Sequence, residues 1–221
     1  MSVGKLSPLQ HRILLQLAGI EPPWTLTGGA ALAGFHTHHR ETRDLDLFFR
    51  PQSSLGPAVA AVREQLERDG LKVAVLRTSP MFSQLEVRDA SGSVVVDLVA
   101  DPTPIAEPPR DTPLGSTTIL VDTPHQLLVN KLCALLSRSE LRDLVDVREL
   151  LERGGDLQRA LEDCPRQDAG FSPLTFGWSM RGLRIEQIAT RLGWSREDIL
   201  ELERFRDELV ERVVSASRPP P

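Results

Sequence analysis

Asp44-Leu45-Asp46 sets two carboxylates two residues apart, downstream of a Gly28-Gly29 pair. Alternate side chains of an extended strand share a face, so Asp44 and Asp46 project together while Leu45, Leu47 and Phe49 turn to the opposite, apolar side. Paired carboxylates suit a hard divalent cation: magnesium takes oxygen ligands, usually one or two carboxylates, with substrate phosphates and water completing its shell. Glycines that open a helix let backbone N–H groups approach a polyphosphate, which the positive end of the helix dipole helps to hold. Each half has a plainer reading, as solvated charges on an edge strand and as an ordinary turn. The chemical reading is favoured because the two acids interrupt an otherwise apolar run, where a half-buried charge is costly without a cation. The chemistry such a combination serves is metal-dependent nucleotidyl transfer.

Other segments supply groups that this pair lacks. Leu127, Leu128, Leu132, Leu135 and Leu136 recur at helical spacing, and Thr123-Pro124 is a cap and first-turn pair, so a helix is expected over 124–137. Lys131 lies on it beside the apolar stripe, either snorkelling at the surface or reaching a phosphate with its ammonium. A second amphipathic helix is expected over 141–151, with Leu144, Val147, Leu150 and Leu151 inward. Asp143 and Asp146, three apart, are neighbours on one of its faces, where they would pair with Arg142 or Arg148 or serve a site. Asp97 interrupts the apolar run 93–100 and is the natural third carboxylate, to deprotonate an attacking hydroxyl, unless backbone amides simply satisfy it. Asp101 follows on the same face, but Pro102 ends the strand before it matters. His36, His38 and His39 read as a polar loop rather than a zinc site, because Cys133 and Cys164 are distant in sequence and no CxxC occurs. One of these histidines, with Arg40 or Arg43, could instead contact a triphosphate or orient an acceptor.

The Gly28-Gly-Ala-Ala-Leu32 turn, the Arg43-Asp-Leu-Asp-Leu-Phe48 strand and the Asn130-Lys131 to Arg142-Asp-Leu-Val-Asp146 segment resemble the AbiEii family of nucleotidyltransferases. The matching blocks, about 24–50 and 124–151, cover roughly a quarter of the chain. The resemblance implies a DNA polymerase β-like α/β (α+β) core with a mixed sheet, followed by a helical C-terminal domain, related to the MenT toxins. It implies Asp44 and Asp46 as metal ligands and Asp44, Asp46, Lys131 and Asp146 as catalytic, with Asp97 joining the catalytic set on the strand reading above. Thr27, Gly28, Gly29, Arg43, Lys131 and Asp143 would bind the nucleotide. Magnesium, or manganese in its place, would be the cofactor and an NTP the substrate. A tRNA or other RNA 3′ end would be the acceptor and a cognate antitoxin the partner, as in type IV toxin–antitoxin systems. One departure stands out: many polymerase β-like enzymes carry Gly-Ser at this turn, and here Gly29 takes the serine position, with Thr27 the nearest hydroxyl.

The whole chain fits these expectations. With 221 residues, 40% hydrophobic and 26% charged, it can bury one large core or two modest ones, set out here as a core domain over 1–121 and a helical domain over 122–221. Strands are expected over 72–76, 82–87 and 117–121, with a helix over 56–69. A Pro-rich surface crossing over 101–113 precedes the final strand. Residues 170–182 give no clear pattern, 184–192 and 196–213 read as a terminal helix pair, and 215–221 as a frayed tail. No stretch has membrane-spanning length and no signal-peptide pattern opens the chain, so a cytoplasmic location with reduced cysteines is expected. A net charge of −5 argues against a broad nucleic-acid-coating surface, and residues 183–194 imitate half of a helix-turn-helix without making DNA an expected partner. Two competing functions remain. A small-molecule nucleotidyltransferase of the aminoglycoside-modifying kind would use the same metal site, and a non-catalytic nucleotide- or partner-binding module would be expected to have lost the carboxylates.

Overall fold

The computed structural model of the chain describes residues 4–216. Contacts divide the chain into two compact units, Met1–Thr123 and Pro124–Pro221.

The first unit is built on one seven-stranded sheet. Its strands are β1 (Thr25–Thr27), β2 (Asp44–Phe49), β3 (Lys72–Thr78), β4 (Phe82–Asp89), β5 (Gly92–Ala100), β6 (Arg110–Leu114) and β7 (Thr117–Val121). They lie in the order β3-β4-β5-β2-β1-β7-β6. The sheet is mixed: β2 runs parallel to β5 and β1 parallel to β7, while the other neighbours are antiparallel. Helices α1 (Pro8–Leu17) and α3 (Ala58–Arg68) contact each other, and α1 also contacts β5. Between β1 and β2 the chain makes a four-residue helix, α2 (Gly28–Ala31), which widens into a π-helical turn over Leu32–His36.

Alternation fixes which face each strand buries. In β2, Leu45, Leu47 and Phe49 are fully buried, and in β5 so are Val96 and Leu98, while their sequence neighbours remain half-exposed. Each such side chain contributes roughly 1.5–3 kcal/mol on burial, and a one-residue slip would turn all of them to the other face. The register that holds the core therefore also holds the acids on the opposite face.

Two sequence expectations change in this unit. The 101–113 crossing contains a strand, β6, at the sheet edge, where Pro113 is tolerated because no neighbour beyond it needs its missing N–H. The helix expected over 56–69 starts later, at Ala58.

The second unit is helical: α4 (Pro124–Arg138), α5 (Leu141–Glu152), α6 (Leu157–Gln167), α7 (Pro173–Arg181), α8 (Ile185–Arg191) and α9 (Arg196–Ala216). Ser172 caps α7 in a capping box with Thr175, and Pro173 occupies its first turn. Within 170–182, where no pattern was legible, residues 173–181 thus form a helix. Ser215 and Ala216 belong to α9 rather than to a tail, and 217–221 lie outside the described residues. Cys133 and Cys164 are free and buried, and packing of α4 on α6 brings the Cys133 thiol within 3.9 Å of the Cys164 carbonyl. No described helix is long and apolar enough to cross a membrane.

Candidate active site

On the first unit's sheet, a row of polar side chains runs across five strands. Register pairs Thr27 of β1 with Asp46 of β2, Asp46 with Asp97 of β5, Asp97 with Gln84 of β4, and Gln84 with Arg77 of β3. Asp44 stands one pleat away on the same face as Asp46. Gln84 Nε2 donates to Asp97 Oδ1 at 2.8 Å, while Gln84 Oε1 accepts from Arg77 Nη2 at 3.0 Å and Nε at 3.3 Å. Because guanidinium can only donate, Arg77 fixes which end of the Gln84 amide faces Asp97. Burial raises the Asp97 carboxyl above the usual carboxylate range; Gln84 and Arg77 oppose the rise and the nearby Asp44 charge adds to it.

The glycine turn packs directly against this row. Gly28 has φ +63°, a left-handed conformation natural to glycine, and a Cβ there would overlap the Asp46 Oδ2 atom. At Gly29 a Cβ would lie 3.0 Å from Thr42 Oγ1 and 3.1 Å from Arg40 Nη2. The turn therefore touches one carboxylate, one hydroxyl and one guanidinium. Thr27, at the N-cap, makes no side-chain cap to α2. Thr42 Oγ1 instead donates to Asp44 Oδ1 at 2.6 Å. Buried Gln10 of α1 holds the approach to β2, accepting from the Ser7 amide at 2.8 Å and donating to the Thr42 carbonyl at 3.1 Å. Arg43 is exposed. Asp101, outside the row, pairs with Arg50 at 3.0 Å, and Arg50 also reaches fully buried Asp122 at 2.8 Å.

Two of the three loop histidines serve the backbone, and His39 bonds a side-chain hydroxyl. His36 Nε2 donates to the Asp122 carbonyl at 2.8 Å, His38 Nδ1 to the Ala33 carbonyl at 2.8 Å, and His39 bonds to Thr37. Burial lowers the His36 pKa, partly offset by its bond to the Asp122 carbonyl. Among the described residues no group of three or more His, Cys, Asp or Glu side chains forms a ready-made metal cage. The donor set on the sheet is two same-face carboxylates, which fits an oxygen-loving cation that shares its shell with substrate phosphates.

In the second unit, Lys131, Asp143 and Asp146 come together away from solvent. Lys131 is 5% exposed and both aspartates 0%. Lys131 Nζ lies 2.7 Å from Asp143 Oδ1 and 2.7 Å from Asp146 Oδ2. Asp143 also accepts from Arg138 Nε at 2.7 Å and Nη2 at 3.0 Å. Burial disfavours the Asp143 carboxylate, but the Arg138 and Lys131 bonds and charges outweigh it and hold its pKa below the usual range. One alternative drawn from the sequence is thereby closed. Lys131 does not snorkel: both acids bond its ammonium and Asp143 also bonds Arg138, while Arg142 pairs with Glu140 at 2.6 Å and Arg148 faces Glu201 at 3.6 Å.

Sequence reasoning passed over Thr42, Gln84 and Gln10. Thr42 stands two residues before Asp44 and could have been found by the same alternation; Gln10 completes a Ser7-x-x-Gln10 capping box whose spacing was legible, whereas Gln84 carries no local signal that separates it from a surface glutamine.

Among curated proteins none matches the chain. Solved structures do. MenT4, a nucleotidyltransferase toxin from Mycobacterium tuberculosis, is 18% identical over 96% of this chain and 82% of its own, with a TM-score of 0.63. A Helicobacter pylori protein described as a nucleotidyltransferase is 15% identical over 96% and 98%, TM-score 0.59, and JHP933 from the same species 17% identical over 96% and 96%, TM-score 0.58. These likenesses establish the fold. The profile of the family described as "Nucleotidyl transferase AbiEii toxin, Type IV TA system" matches residues 12–212. The chain is a nucleotidyltransferase and belongs to the AbiEii toxin family of type IV toxin–antitoxin systems.

Proposed function

We propose that this protein transfers a nucleoside monophosphate from an NTP to the 3′ hydroxyl of an RNA, with tRNA the leading acceptor, in a magnesium-dependent reaction that a cognate antitoxin counters. The observation that supports it most is the row on the sheet: Asp46 sits between the Gly28 turn and Asp97, with Asp44 one pleat away. Asp44 and Asp46 would hold the divalent cation, which when bound supplies charge neutralisation to the triphosphate. Residues 1–121 act as the nucleotidyltransferase core and 122–221 as its helical companion.

The chain's own groups carry the remaining steps. The first-turn amides at Gly28 and Gly29 receive triphosphate oxygens, and Thr27 and Arg43 complete the nucleotide-binding set. Asp97, oriented by Gln84, accepts the proton as the acceptor hydroxyl attacks the α-phosphorus. The new bond is P–O to the acceptor; the bond broken is the α–β bridge, and pyrophosphate leaves. Lys131 has one ammonium N–H beyond those that face Asp143 and Asp146, and we assign Lys131 and Asp146 a catalytic part and Asp143 a nucleotide-binding one. Asp143 and Asp146 set the direction of that ammonium.

Incubation with each labelled NTP, magnesium and either total tRNA or a panel of small cationic acceptors tests the reading. Label on RNA alone supports it. Label on a small acceptor alone replaces it with an aminoglycoside-type activity, and no transfer with retained NTP binding replaces it with a binding module.

A further inference from the structure

The second unit carries a groove that none of the roles above uses. It has a volume of about 720 Å³ and runs between the end of α4, α7 and α8. Arg138, Arg181, Arg184 and Arg191 line it, and none of its lining residues is acidic. Spacing explains the convergence. Trp178 and Arg181 are three apart on α7, while Arg184, Gln187 and Arg191 share one face along α8, so two helices turn the same chemistry into one channel. Arg181, Arg184 and Arg191 are exposed and have no carboxylate within ion-pairing distance among the described residues, in a protein of net charge −5. Trp178 is 82% exposed, a costly position for the largest side chain unless something stacks on it. Arg138 joins the groove to the buried cluster, because the same guanidinium that lines the groove donates to Asp143, which is bonded to Lys131.

We infer that this groove binds an unpaired RNA strand, with Trp178 stacking on a base and Arg181, Arg184 and Arg191 contacting consecutive phosphates; this rests on the RNA-acceptor reading above and gives it a docking site. The combination distinguishes its occupant. Trp and Arg also anchor protein–protein interfaces, but a groove with Arg181, Arg184 and Arg191 and no acidic lining, beside one exposed aromatic, matches single-strand channels, which pair a positive groove with an aromatic platform that accepts any base. A duplex presents phosphates but no free base face for Trp178.

The test is anisotropy of a labelled single-stranded RNA of about a dozen nucleotides with the full chain, without NTP, between roughly 50 and 200 mM salt. Trp178→Ala should weaken binding about tenfold and leave the salt slope unchanged, with Trp178→Phe recovering part of the loss. Arg184→Ala with Arg191→Ala should lower the log–log slope by about 1.4, two phosphate contacts at about 0.7 each. Binding that ignores Trp178 and is displaced equally by heparin would overturn the inference in favour of a surface for any polyanion, an acidic protein included. Duplex binding as tight as single-strand binding would overturn it too. The two readings fail separately. If the wild type labels RNA but the groove variants bind and label it normally, the groove assignment is wrong and the function stands. If Asp46→Asn and the wild type both bind RNA through Trp178 while no label is transferred, the groove assignment stands and the function is wrong.

Discussion

Removing the Lys131 side chain should cost this protein stability as well as turnover. Its ammonium is 2.7 Å from each of two fully buried carboxylates. Lys131→Ala leaves Asp143 with the two Arg138 hydrogen bonds but strips Asp146 of a buried cationic partner. Breaking a buried pair from one side typically costs about 3–5 kcal/mol, far more than the net contribution of the intact pair, because a desolvated charge stays behind. For a chain of this size each kcal/mol shifts Tm by roughly 2–4 °C, so the loss should be about 6–20 °C by calorimetry. The pairing logic supplies its own control. Lys131→Met combined with Asp146→Leu removes both charges at similar volume and should be more stable than Lys131→Ala alone. The double variant should nevertheless stay inactive, since no ammonium remains. A Tm within about 2 °C of wild type for Lys131→Ala would refute the buried network, and an unstable but fully active variant would refute the phosphate role.

Three further outcomes follow from the first unit. Gly28→Ala forces a Cβ into a left-handed φ of +63° and onto the Asp46 carboxylate, so it should cost about 1–2 kcal/mol in denaturant unfolding and displace a group needed for turnover. Activity should fall well beyond what stability accounts for. Gln84→Leu deletes the donor that orients Asp97, and should lower kcat about tenfold, a fraction of the 10²–10⁴ general-base effect, with KM for NTP unchanged. A raised KM with intact kcat would assign Gln84 to nucleotide binding instead. Neutral His36 donates to the Asp122 carbonyl and its folded pKa lies below its unfolded value of about 6.5, so the unfolded chain binds the extra proton. Its contribution to stability is therefore full above about pH 6.5 and lost as pH falls through that window; urea midpoints across it should drop for wild type and flatten for His36→Gln.

How much of this was legible in the chain depends on whether the determinant was local. β2 declared itself because Asp44 to Phe49 alternates strictly, and the same alternation carried the two acids to one face. α4 and α5 were legible from their leucine stripes. α7 was not, because exposed Leu174 and Trp178 blur its amphipathic pattern and Gly177 interrupts it. That glycine answers to a distant residue, since a Cβ there would lie 2.9 Å from Val214 Cγ2 of α9. β6 was hidden by its proline and charges, which an edge strand tolerates. For Lys131 the spacing placed the side chain beside the apolar stripe, but its burial depends on two acids of the next helix folding back over it. The Arg77–Gln84–Asp97 link likewise exists only after β3, β4 and β5 are in register.

The most direct test of the central claim is transfer of label from an α-³²P NTP to tRNA by purified protein in magnesium, wild type against Asp46→Asn. Asp46→Asn keeps the shape of a side chain that packs on Gly28 but removes its charge, so the fold should persist while labelling falls by a hundredfold or more, on the order seen when a principal electrostatic group is lost. Near wild-type labelling by Asp46→Asn at saturating magnesium would contradict the account.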